Sequence, residues 1–88
     1  MSDTLKSLLA EIADEYRSAA SKFPPFRSPH EGYAILLEEV DELWDEVRRK
    51  GVTRAELKAE ALQVAAMGLR FMIDCCGDEP ESKEPDDG

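Results

Sequence analysis

The chain has 88 residues, 20 of them acidic and 11 basic, which gives a formal net charge of −9 at pH 7. This length allows one small domain, and the acidic balance argues against binding DNA or RNA, whose phosphates need a basic face. No run of about 18 apolar residues is present, so no membrane-spanning helix is predicted. Charged residues among the first apolar ones argue against a signal peptide.

The negative charge is concentrated in two segments of the chain. Residues 77–88 carry six acidic side chains, one lysine and no apolar side chain larger than proline, so we expect them to form a disordered acidic tail. The remaining residues, 1–76, form the predicted helical domain. Within that domain, residues 31–47 hold seven acidic side chains and no basic one, and this focus on one segment requires a physical reason.

The first predicted helix runs from about Asp3 to Lys22. Apolar residues recur there at steps of three and four, as on one face of an amphipathic helix. Pro24 and Pro25 end it, and a short, stiff connector follows. No alternating β-branched run appears anywhere, so no strand is predicted.

The second and third helices are marked by their caps. Ser28, Pro29 and Glu31 are typical of a helix start with a capping box, and Gly51 ends that helix. The third helix opens on a second capping box at residues 53–56 and continues to about residue 76, with Gly68 expected to admit a close neighbour. Because the connection between these helices is short, they should pack antiparallel. The predicted fold is all-α: an antiparallel bundle of about three helices per chain, completed by oligomerisation because a domain of this size is only marginally stabilised alone.

Two adjacent cysteines, Cys75 and Cys76, give no disulfide framework, which favours a reducing, cytoplasmic location. We prefer the interpretation that both are half-buried thiols in a last helical turn. The alternative is a paired-thiol redox or metal role.

Polar residues form a regular set on each of the last two predicted helices. On the second helix, Glu38 and Glu42 lie nearly opposite the apolar face, and Glu39 and Glu46 lie on its shoulder. The otherwise apolar third helix carries one stripe at steps of four and three: Glu56, Glu60, Gln63, Met67, Arg70 and Asp74.

Because buried polar groups are costly without partners, the stripe should face the carboxylates of the second helix. Carboxylates converging from two antiparallel helices suit Mg²⁺ or Mn²⁺, whose usual substrate in such sites is a phosphate chain. Two alternatives stay open. The acidic face of the second helix can be simply solvated, and the stripe on the third can pair internally, as Arg70 with Asp74.

Glu38-Glu39-Val40-Asp41-Glu42, a gap of seventeen residues, and Glu60-Ala61-Leu62-Gln63 resemble the EExxE…ExxD pattern of the MazG-like all-α nucleoside triphosphate pyrophosphohydrolases. The resemblance covers about residues 28–74. It implies a helical homodimer or homotetramer that hydrolyses a ribo- or deoxyribonucleoside triphosphate to monophosphate and pyrophosphate with Mg²⁺, or alternatively Mn²⁺.

The resemblance also implies roles for individual residues. Glu38 and Glu39 would be catalytic, with one carboxylate orienting or deprotonating the attacking water. The metal would be held by Glu39, Glu42, Glu60 and Gln63, and the substrate phosphates by Arg70 and Lys58. The sequence departs from the pattern at Gln63, where the final aspartate is replaced by a neutral amide. A non-catalytic helical interaction module, or a degenerate family member with a weakened metal site, is therefore the alternative function.

Overall fold

A computed structural model describes residues 3–77; residues 1–2 and 78–88, which hold nearly all of the predicted acidic tail, lie outside the described part. Three helices pack together: α1 (Asp3–Lys22), α2 (Pro29–Val47) and α3 (Arg54–Phe71), with a π-helical segment Met72–Cys76 extending α3. No strand occurs among residues 3–77. The all-α prediction and its three helices are confirmed.

The predicted helix starts are confirmed, with one difference in detail. At α3, Thr53 Oγ1 accepts a hydrogen bond from the Glu56 N–H at 3.1 Å, and the Glu56 carboxylate accepts from the Thr53 N–H at 2.9 Å, which is a complete capping box. At α2, Ser28 Oγ accepts from the Glu31 N–H at 3.1 Å, but the Glu31 carboxylate accepts from the N–H of Arg27 at 2.6 Å, one residue before the cap. The reciprocal half of the predicted box is therefore displaced into residues 23–28, the connector between the first and second helices.

Helices α2 and α3 run antiparallel, as predicted. Gly32, near the start of α2, contacts Phe71 at the end of α3, whereas Glu42, later in α2, meets Glu60, earlier in α3. At Gly32 a Cβ atom would lie 2.7 Å from the Phe71 ring, so the absence of a side chain allows this close approach. Gly68, where the sequence suggested such an approach, has no neighbouring atom within 4 Å of the same position.

Helix α3 is central, because both α1 and α2 pack on it. Helix α1 runs parallel to α3: Glu11 pairs with Lys58 at 3.1 Å near the start of α3, and Pro24 accepts a hydrogen bond from Arg70 near its end. Among residues 3–77, four apolar side chains are buried, and two of them are alanines: Ala19, Phe26, Ala66 and Met67. None of the helices in the described part is both long enough and apolar enough to cross a membrane.

Candidate metal centre

Three glutamates from two helices form one cluster. Glu39 and Glu42 of α2 and Glu60 of α3 each offer a carboxylate oxygen, and these oxygens all lie within 4.8 Å of one another. Glu39 and Glu60 are half-buried and Glu42 is exposed. We call these residues the Glu39–Glu42–Glu60 cluster.

The helical period explains why these residues meet. Residues three apart lie on the same side of a helix, so Glu39 and Glu42 form one edge of α2. Leu36 and Leu43, one turn away on either side, are half-buried and orient that edge toward α3. The antiparallel arrangement then places Glu60 opposite the pair. The sequence prediction that carboxylates of the two helices meet is confirmed.

Within the part of the chain that the structure describes, no basic side chain neutralises the cluster. Among residues 3–77, no lysine, arginine or histidine forms an ion pair with any of the three carboxylates; the nearby Lys58 pairs with Glu11, and Arg49 pairs with Glu46 at 2.6 Å and with Glu56 at 3.0 Å. In addition, the Oε1 atom of Glu60 is buried and has no hydrogen-bond partner. A buried carboxylate oxygen without a partner is costly, so the cluster favours a ligand that supplies positive charge.

The acid–base properties of the cluster agree with its geometry. Burial raises the pKa of Glu39, and the neighbouring charges of Glu42 and Glu60 raise it further. Burial likewise raises the pKa of Glu60, with added repulsion from Glu42 and Glu46. Both carboxyl groups thus hold a proton more tightly than an isolated glutamate does. A divalent cation would relieve the same repulsion, and three carboxylate oxygens are donors that Mg²⁺ and Mn²⁺ prefer.

A cavity of about 620 Å³ adjoins the cluster, bounded by α1, the α1–α2 connector, α2 and α3. Its polar wall includes Glu38, Glu39 and Gln63, and its apolar wall includes Phe23, Phe26 and Met67. Gln63, at the position of the aspartate in the MazG-like pattern, therefore lines the same cavity as both predicted catalytic glutamates, Glu38 and Glu39. Phe23 is 57% exposed, whereas Phe26 belongs to the core.

Arg70, predicted to hold substrate phosphate, is only 5% exposed. Its guanidinium contacts the connector instead. Its Nη2 donates to the carbonyl oxygen of Pro24 at 2.5 Å, its Nε lies 3.5 Å from the Asp74 carboxylate, and its guanidinium stacks 4.3 Å from the centre of the Phe26 ring. Asp74 in turn accepts from the Phe26 N–H at 3.0 Å. Arg70 and Asp74 therefore anchor the connector to α3, and the internal pairing considered from the sequence is present.

The sequence did not identify the connector as a wall of the cavity. Phe23, Pro24 and Phe26 are held there by Arg70 and Asp74, which lie more than 40 positions later in the chain. The available signal was the rigid Phe-Pro-Pro-Phe run together with two charged residues, Arg70 near the end of α3 and Asp74 in the segment Met72–Cys76 that extends it. Lys58, the other predicted phosphate ligand, is directed to α1 by its pair with Glu11.

No protein-family model, curated protein or solved structure matches this chain. The resemblance to MazG-like pyrophosphohydrolases thus depends on the residues quoted above. Independently of that resemblance, the chain is a small three-helix all-α protein with a glutamate cluster that could hold a metal ion.

Proposed function

We propose that this protein hydrolyses ribo- or deoxyribonucleoside triphosphates to monophosphate and pyrophosphate with Mg²⁺, or alternatively Mn²⁺. The observation that carries the proposal is the Glu39–Glu42–Glu60 cluster, which has no basic partner among residues 3–77 and includes a buried oxygen on Glu60 that has no hydrogen-bond partner there. Three ionised carboxylates carry a charge of −3, and a single divalent ion would reduce it to −1. A polyphosphate is the usual substrate of such an ion.

In this proposal Glu39, Glu42 and Glu60 hold the ion, with Gln63 as a neutral oxygen ligand. The ion, when bound, neutralises phosphate charge and polarises the attacking water. Water attacks the α-phosphorus, the bond from that phosphorus to the oxygen bridging to the β-phosphorus breaks, and pyrophosphate leaves. The water proton passes to a carboxylate, for which Glu38 is suited because it lines the cavity beside Glu39 and is exposed.

The adjoining cavity supports a nucleotide as the substrate class. A volume of about 620 Å³ falls within the range of about 300–1,000 Å³ typical of small-molecule sites. The exposed ring of Phe23 offers a flat apolar surface on which a base can stack, and the polar wall beside the cluster suits the phosphates. The nucleoside would therefore occupy the connector side of the cavity.

The test is pyrophosphate release from each common nucleoside triphosphate in the presence of Mg²⁺. We expect activity in the parent and in Asp41→Asn, which removes one charge from the exposed part of α2 outside the cluster. Glu39→Gln and Glu60→Gln should each lower the rate by about 100-fold or more. An absence of pyrophosphate from every substrate, or equal rates for Glu39→Gln and the parent, would contradict the proposal.

A second candidate is a non-catalytic helical interaction module. It is favoured by the apolar face of α2, where Trp44 is 58% exposed and Tyr33 is 62% exposed. Metal discriminates between the candidates. If Mg²⁺ leaves the melting temperature unchanged and Glu42→Ala raises it, the cluster is only self-repelling surface; a rise with Mg²⁺ that Glu42→Ala abolishes supports the metal site.

A further inference from the structure

The wall that α1 contributes to the cavity carries polar groups to which the proposed chemistry gives no role. Glu15, Ser18 and Lys22 line the cavity, and their spacing of three and four residues places them on one side of α1. Glu15 and Ser18 are half-buried, and Lys22 is exposed. Among residues 3–77, none of these three side chains forms a hydrogen bond or an ion pair. We call them the α1 polar row.

The other charged groups around the cavity are already engaged or have a proposed role. Glu31 pairs with Arg27 at 3.4 Å, and Arg70 donates a hydrogen bond to the connector. Glu38 and Glu39 belong to the proposed metal and water chemistry. The α1 polar row is therefore the part of the wall that is left to recognise the nucleoside.

The row has a direction relative to the metal cluster. Helix α1 runs parallel to α3, and Glu11 pairs with Lys58, two residues before Glu60. Glu15 follows Glu11 by one turn and therefore lies toward the cluster. Lys22 is the last residue of α1 and lies at the connector end. From the cluster to the connector, the row thus presents an acceptor, a hydroxyl that can donate or accept, and a donor.

We propose that the α1 polar row recognises guanine, so that the substrate is a guanosine or deoxyguanosine triphosphate; this assignment rests on the proposed function. The Watson–Crick edge of guanine presents an acceptor at O6, a donor at N1 and a donor at N2, in that order. The N2 end is nearer to the sugar, and hence to the phosphates and the cluster. Glu15 accepts from the N2 amino group, Ser18 accepts from N1–H, and Lys22 donates to O6.

Each of the other bases, in the same orientation, places a wrong group against the row. Adenine has an amino group where guanine has O6, so it sets a donor against Lys22, and it offers Glu15 no N–H. Cytosine sets its amino group against Lys22 and its O2 carbonyl against Glu15. Uracil and thymine match Lys22 and Ser18, but their O2 carbonyl meets the carboxylate of Glu15. Guanine satisfies all three side chains, and the mismatches exclude its competitors.

The apolar side chains around the row suit the faces of a purine. Phe23 directly follows Lys22, lines the cavity and is 57% exposed, so its ring is accessible for stacking. Ala19 and Met67 line the cavity and are buried. A mostly apolar pocket with a few convergent polar groups is the usual construction of a site that selects one small molecule.

The experiment is calorimetric titration of the full chain with GMP, IMP, AMP and UMP in MgCl₂. These monophosphates cannot release pyrophosphate, so base recognition is measured separately from hydrolysis. We expect GMP to bind at least about tenfold more tightly than IMP, which lacks only the N2 amino group, and than AMP or UMP, because one good pair of base contacts gives a factor of that order.

Two variants and a matched control locate the recognition. Glu15→Gln should remove most of the preference for GMP over IMP. Lys22→Met should weaken GMP and IMP alike, since both carry O6, and should not weaken AMP. Asp14→Asn removes the same charge from the exposed side of α1, where Asp14 pairs with Arg17 at 3.2 Å, and should keep the parent's preference.

A parent chain that does not bind GMP at millimolar concentration, or that binds GMP no more tightly than IMP and AMP, would overturn the proposal even if a variant fails to fold. A GMP preference that survives Glu15→Gln would overturn it as well. Pyrophosphate release tests the proposed function separately. Preferential binding of GMP without release from GTP would support guanine recognition and refute hydrolysis, whereas release with equal kcat/KM from all common triphosphates would support hydrolysis and refute guanine recognition.

Discussion

Replacing Glu60 by glutamine tests whether the cluster carries uncompensated charge. Its carboxylate oxygen lies within 4.8 Å of an oxygen of Glu39 and of Glu42. Two unit charges at that distance repel by about 1 kcal/mol in water and by about 3 kcal/mol at an effective dielectric constant near 20. Because Glu42 is exposed, the lower figure applies to most of the interaction, and relief of two such pairs gives about 1–2 kcal/mol.

In the absence of metal, Glu60→Gln should therefore be more stable than the parent. About 1–2 kcal/mol corresponds to a rise in melting temperature of roughly 5–10 °C for a domain of this size. Mg²⁺ should reverse the order. At 100 times its dissociation constant, a ligand stabilises the folded state by about 2.7 kcal/mol, and only the parent retains all three carboxylates.

The assay is thermal unfolding followed by circular dichroism, in EDTA and in MgCl₂, at one fixed protein concentration. Asp41→Asn is the matched control, since it removes the same charge from an exposed position of α2 and should change stability by no more than about 0.5 kcal/mol. The reasoning is refuted if Glu60→Gln melts at or below the parent temperature in EDTA, or if Mg²⁺ raises the melting temperature of both proteins equally.

Four further predictions follow from the same contacts. Because the pKa values of two cluster carboxyls are raised, the folded state binds protons more readily than the unfolded state. Metal-free stability should therefore rise as pH falls from 7 toward 4.5, the ordinary pKa of glutamate, and be lost as pH rises again, and Mg²⁺ should flatten this dependence in urea titrations. Gln63→Asp adds a carboxylate beside the cluster and should tighten Mg²⁺ binding about tenfold, as measured by calorimetry. An unchanged Mg²⁺ affinity would contradict the assignment of residue 63 to the metal site. Arg70→Ala leaves the buried Asp74 carboxylate without its cationic partner, with only the Phe26 N–H still donating to it, and should cost about 3–5 kcal/mol in urea unfolding; a loss below about 1 kcal/mol would contradict the anchoring role. Gly32→Ala should destabilise by about 1–3 kcal/mol, because its Cβ would meet a phenylalanine ring at 2.7 Å, whereas Gly68→Ala should stabilise by up to about 1 kcal/mol.

Local chemistry made much of the fold predictable. Helix ends depend on residues within one turn, so Ser28 and Thr53 could be identified as caps from sequence. The meeting of Glu39 and Glu60 was also predictable, because a short connection requires antiparallel packing and the helical period then fixes which edges meet. Both inferences use spacing along the chain alone.

The parts of the fold and of the site that were not predicted depend on contacts between distant segments, and periodicity along the chain does not encode such contacts. The polar stripe on α3 was expected to face α2 throughout, yet Arg70 turns to the connector and binds Pro24. Periodicity also identifies an apolar face without identifying what covers it. Leu8 and Leu9 belong to the apolar face predicted for α1, and 36% and 50% of their surface is exposed.

The most direct test of the central claim, that the Glu39–Glu42–Glu60 cluster holds a divalent cation, is a Mn²⁺ titration followed by electron paramagnetic resonance, in which bound Mn²⁺ is lost from the free-ion signal. The account predicts a single saturable site in the parent and in Asp41→Asn, displaced by Mg²⁺ and absent in Glu60→Gln. A parent that leaves the free-ion signal unchanged, or a Glu60→Gln variant that binds Mn²⁺ as the parent does, would contradict it.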